Sequence, residues 1–175
     1  MKLYVVRHGE TTYNVENKIC GISNVELTDL GRKQAKEAGE KLKDILFDHV
    51  YVSPLKRAID TAKLLIDDKY PLIIDQRIEE INFGIYEGMG RDTKAFQETK
   101  YHLGKHYLQG ETFLNVIHRV YSFLDEIKQS DDQNVLIVCH GGIIRAIHSY
   151  FFDMSNDDFY HFTTKNCEIK EYILK

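Results

Sequence analysis

Arg7, His8 and Gly9 stand at the end of Leu3-Tyr4-Val5-Val6, an apolar run that reads as a buried strand. The carboxyl ends of strands in open α/β sheets are where ligands bind. An arginine offers a planar fork of donors to a phosphate oxyanion, and a histidine can serve as nucleophile or proton carrier near neutral pH. Glycine lets the backbone approach a ligand closely. A second His-Gly pair, His140-Gly141, ends the apolar run Val135-Leu136-Ile137-Val138. The run Val50-Tyr51-Val52 leads through Ser53-Pro54 to Arg57 on the first turn of a helix, and Leu72-Ile73-Ile74 feeds an acidic loop with Glu79 and Glu80. If these strands are parallel, their ends deliver two histidines, two arginines and a carboxylate to one rim. That set is suited to phosphoryl transfer.

The elements that must position these groups are legible in outline. Glu10 to Glu26 reads as a loop, after which Thr28 looks like an N-cap for a helix bearing Ala35, Ala38, Leu42, Ile45 and Leu46. Ser53 as cap and Pro54 at the first position open the next helix, with Leu55, Ala58, Ile59, Ala62, Leu65 and Ile66 on its apolar face. Glu79 to Gly90 reads as a loop, and Asp92 to Leu108 is polar with weak helical periodicity. From Thr112 a clear amphipathic helix carries Phe113, Val116, Ile117, Val120, Leu124 and Ile127. Ile143 to Phe151 reads as helix and Cys167 to Leu174 as a final edge strand. Short apolar strands alternating with amphipathic helices predict a three-layer α/β/α sandwich, with a mostly parallel central sheet and an antiparallel edge strand. No linker or repeat divides it, so residues 1–175 are expected to form one domain.

Composition narrows the partners. With 43% hydrophobic and 29% charged residues in 175, the chain is ordinary for a globular protein. A net charge of -4 provides no broad basic field, which argues against nucleic acid, and no apolar run approaches bilayer length. Three cysteines, Cys20, Cys139 and Cys167, form no C-x-x-C pair and read as reduced thiols. A cleaved leader would remove Arg7 and His8, so a cytoplasmic protein is expected. His102 and His106 lie four apart but lack a third ligand, and read as a solvated helix face rather than a metal site.

Taken together, the motifs resemble the histidine phosphatase superfamily, also called phosphoglycerate mutase-like. They run in order through Val6-Arg7-His8-Gly9-Glu10-Thr11 with Asn14, Leu27-Thr28-x-x-Gly31, and Ser53-Pro54-Leu55-Lys56-Arg57-Ala58. Glu80-x-x-Phe83-Gly84-x-x-Glu87-Gly88, Gly110-Glu111-Thr112 and Val138-Cys139-His140-Gly141-Gly142-x-Ile144-Arg145 complete them. The compact length is similar to the small phosphatase branch that includes α-ribazole phosphatases.

The resemblance implies that His8 is the nucleophile of a phosphohistidine mechanism, with Arg7, Arg57 and His140 around the transferring group. Asn14 and Gly141 would add donors to the phosphate. Glu80 is expected to protonate the leaving alkoxide and later to accept a proton from water. With cations supplied by side chains, no metal or cofactor is implied, and the expected partner is a small phosphomonoester. Cap elements are expected at about 13–25 and 83–108, where Tyr86, Phe96, Tyr101 and Tyr107 either enclose a leaving group or pack. Glu10 is expected to shape its loop, and the role of Glu111 stays open. Three other readings compete for the same residues. A cofactor-dependent phosphoglycerate mutase uses the same core, but Arg91, Lys94, Lys100 and Lys105 are the only Arg or Lys residues between Gly88 and Gly110, which favours hydrolysis. A non-catalytic module would have no chemical reason to keep the whole set. Cys139-x5-Arg145 matches the bare loop of tyrosine phosphatases, but that leaves Arg7 and His8 without a task.

Overall fold

The computed structural model describes residues 1–175. In chain order the elements are β1 (Lys2–Arg7), α1 (Thr12–Val15), α2 (Asp29–Leu42), β2 (His49–Val52), α3 (Lys56–Ile66) and β3 (Leu72–Ile74). There follow α4 (Lys94–Lys100), α5 (Phe113–Ile127), β4 (Asn134–Cys139), α6 (Gly141–Phe151), α7 (Asn156–His161) and β5 (Ile169–Ile173). The strands form one sheet in the order β3-β2-β4-β1-β5. β1, β2, β3 and β4 are mutually parallel, and β5 lies antiparallel on β1 at the edge, as the sequence predicted. Register places Arg7 opposite Cys139 and Val52 opposite Val138. His8, Ser53 and His140 therefore leave the sheet at one edge.

The sheet is covered on both faces, which explains why its central strands are unbroken apolar runs. Leu3 and Val5 of β1 join Val135, Ile137 and Cys139 of β4 in a core shared with α5 and α6. The alternate residues Tyr4, Val6, Leu136 and Val138 enter a second core under α2 and α3. At the strand end, chain crosses chain closely. A Cβ on Gly9 would lie 2.5 Å from the carbonyl oxygen of Gly31, and one on Gly31 would collide with the Glu10 backbone. The loop after β1 thus rests directly on the first turn of α2, which only glycine permits at both positions.

Several local expectations need correction. The helix capped by Thr28 stops at Leu42, so Ile45 and Leu46 are not part of its face and Leu46 is exposed. Ser53 does not cap α3: the helix begins at Lys56 with Leu55 at its N-cap position and no side-chain cap bond. The Glu10–Glu26 loop contains the short helix α1, whose N-cap Thr11 forms a reciprocal capping box with Asn14. α4 ends at Lys100, so His102 and His106 do not share a helix face. The short helix α7, with Ser155 as its cap, was not anticipated.

Candidate active site

Beyond the sheet edge lies a cavity of about 180 Å³, with Arg7, His8, Asn14, Arg57, Glu80 and Gly141 on its wall. Six expected site residues are thus brought together from β1, α1, α3, α6 and the loop after β3. His140 is fully buried behind them, its ring centroid 5.2 Å from that of His8. It is not on the cavity wall.

The tautomer of His8 follows from its partner. Nδ1 of His8 is 2.7 Å from the carbonyl oxygen of Gly9, which can only accept, so Nδ1 carries the proton. Nε2 keeps its lone pair and has no protein partner. Ser53 Oγ accepts from the N–H of Leu55 at 3.3 Å and is 2.7 Å from His140 Nε2. The Ser53 oxygen has a second lone pair, so its bond with Nε2 runs in the direction that the His140 tautomer sets. Nδ1 of His140 is buried without a partner.

The cations are buried as well. Arg57 is only 1% exposed, and donates through Nη1 to the Ser23 carbonyl at 2.9 Å and through Nη2 to the Gly21 carbonyl at 2.6 Å. Arg7 Nη1 donates to the Thr164 carbonyl at 2.5 Å, and its guanidinium passes over Gly141. Nε of each arginine is buried without a partner. Leaving a buried donor unsatisfied costs roughly 1–3 kcal/mol. Asn14 has its amide oxygen occupied by the Thr11 N–H and hydroxyl, each at 3.0 Å, and by Asn166 Nδ2 at 3.3 Å. Its NH₂ group is left for the cavity. Glu80 accepts from the N–H of Ile81 at 3.0 Å and of Gly142 at 3.2 Å. A Cβ on Gly142 would approach Glu80 Oε1 to 2.5 Å, so glycine here lets the carboxylate rest on the start of α6.

Burial, and then the neighbouring Arg57 and Arg7 charges, hold His8 well below its ordinary value. His140 is held well below by burial, then by Arg57 and His8. Both rings are therefore neutral at neutral pH. In the unfolded chain they take up protons near pH 6.5, so the unfolded state binds more protons as pH falls through that value. Stability should accordingly decline from about pH 7 towards pH 5, by up to about 1.4 kcal/mol per pH unit for each ring. Denaturant unfolding at pH 7.5, 6.5 and 5.5 checks this. His8→Ala should lower the slope by about one proton, and an unchanged slope would contradict the assignment.

The surrounding loops are held by residues whose tasks the sequence did not disclose. Glu87 accepts from the N–H groups of Ile22 at 3.0 Å, Ser23 at 2.8 Å and Phe83 at 3.2 Å, and from the Ser23 hydroxyl. It ties the loop bonded by Arg57 to the one after Glu80. Glu111, left open above, pairs with Arg119 at 3.0 Å and accepts from the Asn82 N–H at 2.9 Å. Arg119 in turn donates to the carbonyls of Arg77, Glu79 and Glu80. Glu111 and Arg119 together shape the Glu80 loop without reaching the cavity. Glu10 accepts from the Thr28 hydroxyl at 2.8 Å, the loop-shaping role expected of it. Asn166 Nδ2, donating to the His8 carbonyl at 2.9 Å, carried no signal in the sequence.

Cys139 lies within β4, fully buried in the core, with its thiol pushed up by burial. It has no access to the cavity, and the thiolate reading falls. Of the cap aromatics, Phe96 and Tyr107 are buried and reach the wall, stacked on each other at 5.5 Å. Tyr86 packs behind them, and Tyr101 turns outward against Tyr160.

This ordered set, carried on this sheet, agrees with comparison to known proteins. A family model described as the histidine phosphatase superfamily (branch 1) matches residues 3–174. The chain belongs to that superfamily. It is 33% identical to a 2,3-bisphosphoglycerate-dependent phosphoglycerate mutase of Cytophaga hutchinsonii over 91% of this chain and 81% of the relative. An uncharacterized phosphatase of Bacillus subtilis, PhoE, is 33% identical over 88% of this chain and 77% of its own. The crystal structure of the α-ribazole phosphatase from Shigella flexneri superposes with a TM-score of 0.85 at 30% identity, covering 98% of this chain and 89% of the other. As a histidine phosphatase superfamily member of the small phosphatase branch, the chain is placed among phosphatases and mutases acting on small phosphate compounds. No helix is long and apolar enough to cross a membrane.

Proposed function

We propose that this histidine phosphatase superfamily member hydrolyses a small-molecule phosphomonoester through a phosphohistidine on His8, without a metal. The observation that carries the reading is the unpartnered Nε2 lone pair of a neutral His8 at a cavity walled by Arg7 and Arg57. Nε2 attacks phosphorus as the bond to the leaving oxygen breaks, and Glu80 donates the proton that the departing alkoxide takes up. Water then attacks the phosphohistidine, gives its proton to Glu80, and releases inorganic phosphate and neutral His8. Arg7 and Arg57, with their unpaired Nε donors, and His140, in the tautomer that carries its proton on the unpartnered Nδ1, stabilise the charge on the equatorial oxygens. Asn14 and the Gly141 backbone complete the cradle. The chemistry is completed by side chains of one domain, so no cofactor enters.

A mutase needs the same first half-reaction but must retain the phosphoryl group and exclude water. The short span between Gly88 and Gly110 favours hydrolysis. A panel of phosphomonoesters assayed with chelator present tests the reading by release of inorganic phosphate, which should be insensitive to the chelator. Rapid isomerisation of 3-phosphoglycerate in the presence of 2,3-bisphosphoglycerate, without phosphate release, would overturn it in favour of the mutase. No release from any monoester, with no label on His8, would leave a non-catalytic binding module.

A further inference from the structure

Arg57 is almost fully buried and forms no ion pair, its two Nη groups resting on the Gly21 and Ser23 carbonyls alone. This leaves the whole of its charge for an incoming phosphoryl group. It also makes the aim of the guanidinium only as good as the aim of two carbonyls in the loop between α1 and α2. Gly21 lies in the left-handed region at φ +54° and brings little rigidity of its own. The loop is fixed from outside.

Glu87 does the fixing, and the connection runs through one peptide unit. The Ile22 N–H and the Gly21 carbonyl belong to the same planar trans peptide, so they point in opposite directions. Glu87 Oε1 accepts that N–H at 3.0 Å on one side, and Arg57 Nη2 donates to that carbonyl at 2.6 Å on the other. Glu87 Oε2 accepts from the Ser23 N–H at 2.8 Å and from the Ser23 hydroxyl, which holds the residue whose carbonyl takes Nη1. An anion at the N–H end of a peptide polarises it and strengthens the bond that its carbonyl accepts from a cation. A Cβ on Gly21 would collide with the carboxylate, so glycine serves both the backbone angle and the seat of Glu87. The two chain segments are laced together beside this seat, the Gly88 N–H donating to the Ile19 carbonyl and the Ile19 N–H to the Met89 carbonyl, each at 2.8 Å. Burial lowers Arg57 from its ordinary value, and the charge of Glu87 is among those that oppose this.

We infer that Glu87 is the positioning residue of Arg57, which it aims at the transferring phosphoryl group through the Gly21–Ile22 peptide and Ser23. The inference rests on the hydrolase reading above and deepens it. Glu87 does not line the cavity, so it acts without touching the substrate. A carboxylate set directly against the guanidinium would neutralise the charge that the phosphoryl group needs. One placed a peptide away steadies the guanidinium and leaves both its net charge and its unpartnered Nε for the substrate.

The test is a double-mutant cycle on p-nitrophenyl phosphate. Its phenolate leaves without a proton, which keeps the Glu80 loop, touched by Glu87 through the Phe83 N–H, out of the phosphorylation step. Glu87→Ala should lower kcat/KM about ten- to hundredfold, the range spanned by a hydrogen bond to a charged group, and weaken the binding of inorganic phosphate comparably. In an Arg57→Ala background the same substitution should cost less than about threefold, because the group through which it acts is gone. Glu87→Gln keeps the side-chain volume, and its one oxygen can serve the Ile22 or the Ser23 N–H but not both, so its loss should be smaller. It carries the cycle if thermal melting shows Glu87→Ala to be unfolded. Unchanged kcat/KM and phosphate affinity in a folded variant would overturn the assignment. So would a cost above that limit in the absence of Arg57, the mark of a general structural role. Either result leaves the hydrolase reading standing if the native chain releases phosphate and carries label on His8. A native chain that binds phosphate but hydrolyses no monoester, with binding weakened by Glu87→Ala only where Arg57 is present, would sink the hydrolase reading and uphold the positioning role.

Discussion

His8→Ala is expected to lower kcat for phosphomonoester hydrolysis by at least about ten-thousandfold, because removal of a nucleophile leaves only binding and electrostatic contributions to the rate. The site is arranged around one lone pair. Gly9 fixes the proton on Nδ1, and burial beside Arg57 and Arg7 keeps the ring neutral, so Nε2 is available over the whole neutral range. No neighbouring group offers a substitute. Cys20 reaches the cavity wall, but burial pushes its thiol up, and His140 has Nε2 engaged by Ser53. The check is radiolabel from a phosphate-labelled substrate, followed through an alkaline quench that preserves phosphohistidine. The native chain should carry label on His8 and the variant none. The variant's thermal melting separates this outcome from misfolding, since the His8 side chain also packs on His140. Substantial turnover by a folded His8→Ala protein would end the phosphohistidine reading.

The contrast between what the residues disclosed and what they hid has a physical basis. β1 and β4 were legible because a strand covered on both faces must be apolar throughout, and each ended in a polar His-Gly pair. The antiparallel edge at β5 was legible from its mixed faces. Thr28 and Thr112 announced their helices through capping, a local interaction across three residues. Ser53 was misread for the same reason: its sequence neighbourhood is that of a cap, yet its hydroxyl serves His140, 87 positions away. No local pattern encodes such a pairing. Glu87, Glu111 and Arg119 were similarly opaque, because their partners are backbone groups of distant loops. Arg91 and Lys100 lie far from Arg145 in the sequence, and only the fold brings the three to one cavity. His140 was placed on the correct rim, but its depth behind His8 depends on side-chain direction that strand position alone does not supply.

Glu80→Gln is expected to separate the two chemical steps by leaving group. For an alkyl phosphate, whose alkoxide leaves only with a proton, loss of the acid should slow the first step by about 10²–10⁴-fold. For p-nitrophenyl phosphate the phenolate departs without that proton, so phosphorylation of His8 should be nearly preserved. Hydrolysis of the phosphohistidine still needs a base for the attacking water, and Glu80 is the sole carboxylate on the cavity wall. The variant should therefore release a burst of one nitrophenolate per site and then accumulate phosphoenzyme. The single amide oxygen of glutamine can keep only one of the bonds that the two carboxylate oxygens accept separately from the Ile81 and Gly142 N–H groups, so the variant's thermal melting is measured alongside its kinetics. Glu79 provides the comparison. Its carboxyl is raised by burial, but it does not line the cavity, so Glu79→Gln should change neither step by more than a few-fold. Rapid-quench kinetics on both substrates decides the matter. If Glu79→Gln loses alkyl phosphate turnover while Glu80→Gln keeps it, the acid has been assigned to the wrong glutamate. If Glu80→Gln slows both substrates equally with no burst, the residue acts by position or charge and not by carrying the proton.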